Sequence, residues 1–277
     1  MTVKKNNVHL NQFYNFLSIY YKMLVTRNNH KFYISNDDEF SKKWFSTRYE
    51  SWEKDTFHIL EHYKNHKEGI YIDIGAWIGP TVLYSANIYK KVVAIEPDPV
   101  ALLRLKQNIN ANTFDNITLV EKGLSSKNGV SEFGGNGALG NSESTLLIAN
   151  KEDYLSYDGR HTQRHKHDEI VTIETITIEH LINEVNINPE HISLIKMDIE
   201  GGEKIVVPSL VDFLRKYKPV FYISLHRCFL RNSEITEIID ILFGIYDKCY
   251  YFNSIGGKQI IDKVFIDNKK VCSLVFE

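Results

Sequence analysis

Residues 69–80 read GIYIDIGAWIGP. A short apolar run ends in Asp73, Gly75 and Gly79, and Pro80 opens a helical stretch, so the segment predicts a strand, a glycine turn and the start of a helix. The rhythm repeats outward: residues 80–89 are helical in pattern, KVVAIE strand-like, 98–112 helical and NITLVEKGL strand-like. After an interruption, EHLINEV, HISLIKMDI, SLVDFLRKY and PVFYISLH continue as helix, strand, helix, strand. This alternation predicts βαβ units, hence a mostly parallel sheet with helices on both faces. A helix near 233–245 precedes CYYFN, DKVFI and KKVCSLVFE, three β-rich pieces with turn-length gaps. Crossover helices do not fit such gaps, so the C-terminal strands are expected to be antiparallel.

Upstream, Phe13, Phe16, Leu17, Tyr20, Tyr21 and Leu24 recur at three- and four-residue spacings within residues 8–27, the stripe of an amphipathic helix. HKFYIS reads as a short strand, and Trp52, Phe57, Leu60 and Tyr63 mark another helix over about 50–66. Residues 1–68 are therefore expected to form an N-terminal helical cap, and 69–277 the α/β domain. The interruption at about 125–169 contains GGNGALGNSES and the polar DGRHTQRHKHDE. It predicts a long flexible insertion of the kind that carries function.

Composition narrows the function. The 277 residues carry 33 basic and 35 acidic side chains, a formal charge of −2, and are 43% hydrophobic. That excludes a disordered chain, and near-neutral charge argues against a dedicated nucleic-acid binder, which would need an excess of Lys and Arg. Cys228, Cys249 and Cys272 are odd in number and form no C-x-x-C pair, so neither a disulfide framework nor a structural zinc site is expected. The start, MTVKKNNVHLNQ, lacks the apolar core of a signal peptide. No apolar run reaches the ~18 residues of a membrane span. The expected setting is cytoplasmic, with no membrane partner.

In open α/β sheets, ligands bind outside the carboxyl ends of the strands, and a helix start offers free N–H groups to an anionic ligand part. A cofactor site is thus expected at 73–80. A dinucleotide turn needs G-x-G-x-x-G; aligned from Gly75, the second glycine falls on Trp77 and the third on Pro80. An indole where a pyrophosphate should lie disfavours a nicotinamide dinucleotide. The D-x-G-x-x-x-G spacing suits a ligand with an amino-acid end, its ammonium near Asp73. Glu96 closes the next strand 23 residues on (96 − 73), where a carboxylate holds a ribose diol. Pro97 keeps Glu96 extended, and Asp98-Pro99 reads as N-cap and first helical residue.

Together, DIGAWIG, AIEPDP, LIKMDIEGGE and the terminal strands resemble a class I S-adenosylmethionine-dependent methyltransferase, and LIKMDIEGGE resembles the signature of the FkbM-type family. The resemblance covers roughly residues 50–226. It implies a Rossmann-like class I methyltransferase sheet of seven strands with an antiparallel final strand, S-adenosyl-L-methionine as cofactor, and an oxygen acceptor on a sugar, glycan or small metabolite. It places Asp73, Gly75, Ala76 and Gly79 around the methionine end, Glu96 and Pro97 at the ribose, and Lys122, Gly123 and Leu124 against the adenine. Asp198 and Glu200 face the methyl group. The family pattern on the following strand resembles E-x-H; here it reads Ser224, Leu225, His226, which leaves metal dependence open.

An alcohol acceptor must lose a proton, and His226 is the first expected base because imidazole titrates near neutrality. Asp198 and Glu200 come second, as base or as anchors for acceptor hydroxyls. A satisfied core histidine is the plain alternative for His226, and helix-dipole complementation for Glu203. His58, His62 and His66, and His161, His165 and His167, read as solvated surface; Trp52 and Glu53 lie on the helix leading into the first strand, where a cap could close over the cofactor, with core packing the plainer reading for Trp52. Two other functions stay open, a nicotinamide oxidoreductase and a non-catalytic cofactor-binding or scaffold protein, as does the oligomeric state.

Overall fold

The computed structural model describes residues 22–134, 138–146, 169–269 and 271–277. Lys22–Arg27 (β1) and His30–Ser35 (β2) pair antiparallel. Their loop residues, Asn28 and Asn29, both take left-handed φ, 48° and 68°, a two-residue hairpin that asparagine tolerates. Two helices follow, Glu39–Thr47 (α1), capped by Asp38, and Lys54–Tyr63 (α2).

The α/β region begins with Ile70–Ile74 (β3), buried at every position, as its unbroken apolar run requires of a strand covered on both faces. Pro80–Ser85 (α3), Lys91–Ile95 (β4), Pro99–Asn110 (α4) and Ile117–Val120 (β5) continue outward on one side. Gly123–Leu124 (β6), Gly129–Gly134 (β7) and Ile170–Ile176 (β8) make a separate three-stranded sheet, and Ile178–Glu184 (α5) returns the chain to the centre. Ile192–Met197 (β9) lies beside β3 on its other side. Glu203–Ser209 (α6), Val211–Tyr217 (α7) and Val220–Ser224 (β10) complete the parallel part. The ending is Asn232–Phe243 (α8), Cys249–Phe252 (β11), Lys258–Ile261 (β12), Lys263–Lys269 (α9) and Ser273–Phe276 (β13).

The eight strands order as β12-β11-β13-β10-β9-β3-β4-β5. From β10 to β5 all pairs are parallel, whereas β13 is antiparallel to β10 and β11, and β12 is antiparallel to β11. This is the mostly parallel α/β sheet with antiparallel C-terminal strands expected from the sequence, with one strand beyond the seven implied. The chain leaves β3 in one direction for β4 and later returns to its other side at β9, so the switch point lies at the carboxyl ends of β3 and β9.

Two readings are corrected. The helix expected to run through residue 27 gives way to β1, where Leu24 is exposed and Val25 and Arg27 buried, a period of two; its earlier residues, Phe13 to Tyr21, lie outside the described residues. DKVFI, expected as a strand, opens helix α9. The Asp262 carboxylate accepts the Phe265 N–H at 2.8 Å, an N-terminal cap, and Ile266 is the helix residue that is buried. The strand at this place is the preceding β12.

The N-terminal part is less a lid than a layer. Phe32, Ile34, Phe45, Tyr49, Phe57 and Leu60 join Tyr71, Val92, Leu194 and Tyr222 in one apolar cluster against a face of the sheet. Arg27 fastens it: the guanidinium sits 3.4 Å from the Phe57 ring centroid and donates to the carbonyls of Tyr49 and Trp52. Charged heads that desolvate in this way are worth the cost only when their donors are used.

On the same face, register pairs Asp73 of β3 with Lys196 of β9. Lys196, 2% exposed, sits 3.5 Å from the Asp73 carboxylate and 3.1 Å from that of Asp198. Burial pulls its ammonium pKa down, but Asp198, Asp73 and Glu53 outweigh that and raise it, so it stays charged. Gly75, φ +88°, lies so close to the end of β9 that a Cβ there would stand 1.9 Å from the Asp198 carbonyl oxygen. The glycine is thus required by strand packing, before any ligand is considered.

Two outcomes are expected in chemical denaturation. Gly75→Ala loses about 2–4 kcal/mol through overpacking and left-handed strain; wild-type stability would contradict this packing. Lys196→Met loses about 3–5 kcal/mol by leaving carboxylates buried without their cation. Adding Asp73→Asn to that variant recovers part of the loss, and no recovery would show the two groups to be uncoupled.

Candidate active site

At the carboxyl ends of β3, β4, β9 and β10 the structure holds a cavity of about 240 Å³. It exists because strand ends diverge into turns there, and those turns are tight. Gly75 and Gly79 take φ of +88° and +93°, and Trp77 between them +49°; in the DIEGGE turn after β9, Glu200 takes +53° and Gly201 +93°. Glu53, at the start of α2, takes +35°. A left-handed non-glycine residue costs about 1–2 kcal/mol, and three of them, Glu53, Trp77 and Glu200, line this one cavity.

One end is made by the β3 and β4 turns. The Glu96 carboxylate accepts the Trp77 N–H at 2.7 Å and the Asp98 N–H at 2.8 Å. Burial nevertheless pushes it up to about 8, helped by Asp98 and Asp73 and opposed by those two N–H groups. Pro97, Gly123, Leu124, Phe133 and Leu146 line an apolar recess beside it. Asp98 caps α4 and also accepts from the Gly140 N–H at 2.7 Å and the Ser144 hydroxyl at 2.6 Å, tying residues 138–146 to the cavity wall. The Trp77 indole turns to the same segment, donating to the Gly140 carbonyl at 3.1 Å and meeting Trp44 edge-on at 5.0 Å. The indole is therefore part of the wall.

The other end gathers charge. Asp198 Oδ1 and Glu200 Oε1 each lie 3.4 Å from His226 Nε2, and Glu203 Oε1 lies 3.8 Å from His226 Nδ1. Burial lowers the imidazole pKa, but Glu203, Asp198 and Glu200 reverse this and bring it up to about 10. Glu200 is pushed up to about 8, first by burial and further by Asp198, Glu203 and Glu143, against the pull of His226. Asp198 moves down despite burial, because Lys196 and His226 favour its charge. Glu53 is pushed up to about 7 by burial and by Asp198, with Lys196 and a hydrogen bond from Thr56 opposing.

The sequence-derived residues Gly75, Ala76, Glu96, Pro97, Gly123, Leu124, Asp198, Glu200 and His226 all line this cavity. Asp73 does not: it is fully buried behind the turn, bonded to the Thr81 hydroxyl and paired with Lys196. Gly79 also stands back, where a Cβ would meet Leu105 at 2.7 Å. Lys122 turns outward to Glu184 at 2.7 Å. Ser224 is buried in its strand, and His62 packs edge-on to Phe252 at 5.6 Å, while His161, His165 and His167 lie outside the described residues. Both nitrogens of His226 face carboxylates, Nε2 those of Asp198 and Glu200 and Nδ1 that of Glu203.

Trp52 and Glu53, on the helix expected to lead into the first strand, both line the cavity. Sequence reasoning missed Lys196 and Arg48. A signal for Lys196 was present: a lysine between Ile195 and Met197 in a strand buried on both faces needs carboxylate partners. Arg48 carried none, because its approach to the cavity follows from how α1 docks.

No curated protein matches the sequence. Among solved structures, the fold is similar to a methyltransferase FkbM from Methylobacillus flagellatus KT, with 16% identity over 87% of this chain and a TM-score of 0.44. The chain spans 55% of that protein's length. An rRNA methylase from Streptococcus thermophilus gives 11% identity over 79% of this chain and 91% of that one, TM-score 0.42. A methyltransferase of Streptococcus mutans in complex with SAH gives 10% identity over 80% and 94%, TM-score 0.42. The sequence itself matches the methyltransferase FkbM domain over residues 73–252, more than half of its length. The chain belongs to the FkbM methyltransferase family.

Proposed function

We propose that this chain transfers a methyl group from S-adenosyl-L-methionine to a hydroxyl oxygen of a small or glycan-linked acceptor. The observation that carries the reading is the division of one cavity into two unlike ends. A carboxylate beside an apolar recess, Glu96 with Pro97, Gly123 and Leu124, suits a ribose diol and an adenine. Across from it, Asp198, Glu200 and His226 offer proton acceptors and a donor where a hydroxyl would approach.

Methyl transfer forms a C–O bond as the S–CH3 bond breaks, releasing neutral S-adenosylhomocysteine, while the hydroxyl proton leaves to a protein group. Holding oxygen, methyl carbon and sulfur in line is the main contribution, worth up to ~7–11 kcal/mol. Asp198 and Glu200 are the acceptors for the proton, and His226 fixes their orientation. The sulfonium is cationic, and Asp198, which Lys196 and His226 hold in its charged form, supplies a carboxylate to the cavity that receives it. Trp44, Trp52 and Arg48 supply an aromatic and basic mouth, a surface on which a sugar ring stacks. The cavity lies in a chain with no helix, among the described residues, long and apolar enough to cross a membrane.

Incubation with methyl-labelled S-adenosylmethionine and a panel of glycans and hydroxylated metabolites is expected to release S-adenosylhomocysteine and label an acceptor oxygen. Tight S-adenosylhomocysteine binding without turnover on any acceptor would favour the non-catalytic alternative, and preference for a nicotinamide dinucleotide in calorimetry would overturn the reading. The pH profile of cofactor affinity tests Glu96. Below pH 8 its carboxyl holds a proton in the empty site and accepts ribose hydroxyls poorly, so affinity rises from pH 6 to about 8 and then levels. The limiting slope is tenfold per pH unit, ~1.4 kcal/mol. Glu96→Gln should weaken binding ~10-fold or more and flatten the profile; an unchanged profile would remove Glu96 from the ribose.

A further inference from the structure

We propose that Asp198, Glu200 and His226 bind one divalent transition-metal ion. The inference deepens, and rests on, the methyltransferase reading of the cavity.

The geometry is that of donors around a gap. One ligand atom from each of Asp198, Glu200 and His226 lies within 4.8 Å of the other two. Both carboxylate oxygens stand 3.4 Å from Nε2, beyond the ~2.7–2.9 Å of a charge-assisted hydrogen bond. Ligands held ~2.1 Å from an ion are about 3 Å apart when adjacent in an octahedron and about 4 Å when opposite. The observed spacing matches an ion between the three groups better than direct pairing among them.

A second, independent feature lies behind the imidazole. Glu203 is fully buried, yet among the described residues its Oε2 has no hydrogen-bond partner, and neither has His226 Nδ1. Its other oxygen, Oε1, accepts the Ile199 N–H at 3.0 Å and faces Nδ1 at 3.8 Å. A ligating histidine commonly directs its second nitrogen at a carboxylate, which fixes the tautomer and leaves the first nitrogen's lone pair for the metal. Here the same DIEGGE turn supplies Glu200 to the cavity and Glu203 to the back of the ring. Asp198 and His226 project from the ends of adjacent strands, β9 and β10, so the ligands rest on rigid supports.

Two carboxylates and one imidazole select the ion's class. Calcium prefers six to eight oxygens, and a set with one nitrogen and no thiolate suits Mn²⁺, Fe²⁺ or Zn²⁺. All three residues line the cavity, where such an ion would act as a Lewis acid toward the acceptor oxygen, and the Glu200 oxygen not used as a ligand would still take the hydroxyl proton.

The test uses the full chain stripped with a chelator and titrated with MnCl2, followed by electron paramagnetic resonance and calorimetry. One Mn²⁺ per chain is expected, with a raised melting temperature. Asp198→Asn and Glu200→Gln should each lower affinity at least 100-fold, and Glu203→Gln, which leaves the ligands in place, about 10- to 100-fold. If Asp198→Asn fails to fold, Glu200→Gln and Glu203→Gln give the same answer. S-adenosylhomocysteine is titrated in parallel. Absence of Mn²⁺ binding while S-adenosylhomocysteine binds overturns the metal site and leaves the methyltransferase reading intact; the converse separates them the other way. Mn²⁺ binding that survives both Asp198→Asn and Glu200→Gln lies elsewhere and overturns the proposal.

Discussion

A single ammonium group organises the centre of this protein. Lys196 rises between Ile195 and Met197 from a strand buried at every position and draws the carboxylates of Asp73 and Asp198 toward it, from the ends of the two strands at the switch point. Without it, two carboxylates would share a low-dielectric interior and one would have to take a proton. With it, the first glycine turn is pressed against the end of β9, and the cavity receives its floor. The turn after β9 then presents Glu200 to the cavity and buries Glu203.

The cavity gathers more carboxyl groups than Lys196 and His226 can pair. Glu53, Glu96 and Glu200 are all pushed well above the ordinary carboxylate range, to about 7, 8 and 8, and the backbone at Glu53 and Glu200 is left-handed. Strain and shifted titration in the same few residues are the pattern of a site held for chemistry at some cost in stability. A cationic ligand bound among these groups would favour their ionised forms.

Around this centre the flanking segments act as walls. The hairpin and the first two helices cover a sheet face and bring Trp44, Arg48, Trp52 and Glu53 to the cavity. Residues 138–146, the described part of the long insertion that borders it, are drawn in by Asp98 through Gly140 and Ser144. Both segments meet at Trp77, whose indole touches Trp44 and the Gly140 carbonyl. Acceptor selection in the proposed reaction would depend on these walls.

Much was legible in the chain alone. Apolar runs of strand length between helical stripes dictated a parallel sheet, because both faces of such strands must be covered, and the turn-length gaps after Phe243 dictated antiparallel closure. The family-bearing segments DIGAWIG, AIEPDP and KMDIEGGE lie at strand ends for the same reason. Local patterns failed where tertiary packing outweighed them. Residues 22–27 became a strand once Asn28 and Asn29 turned the chain back, and DKVFI became a helix because Asp262 caps it and the core accepts Ile266. Only the folded chain could put Asp73 behind the cavity, set His226 among three carboxylates or join Lys196 to Asp73, 123 residues away in sequence, since through-space charge and desolvation leave no mark on sequence spacing.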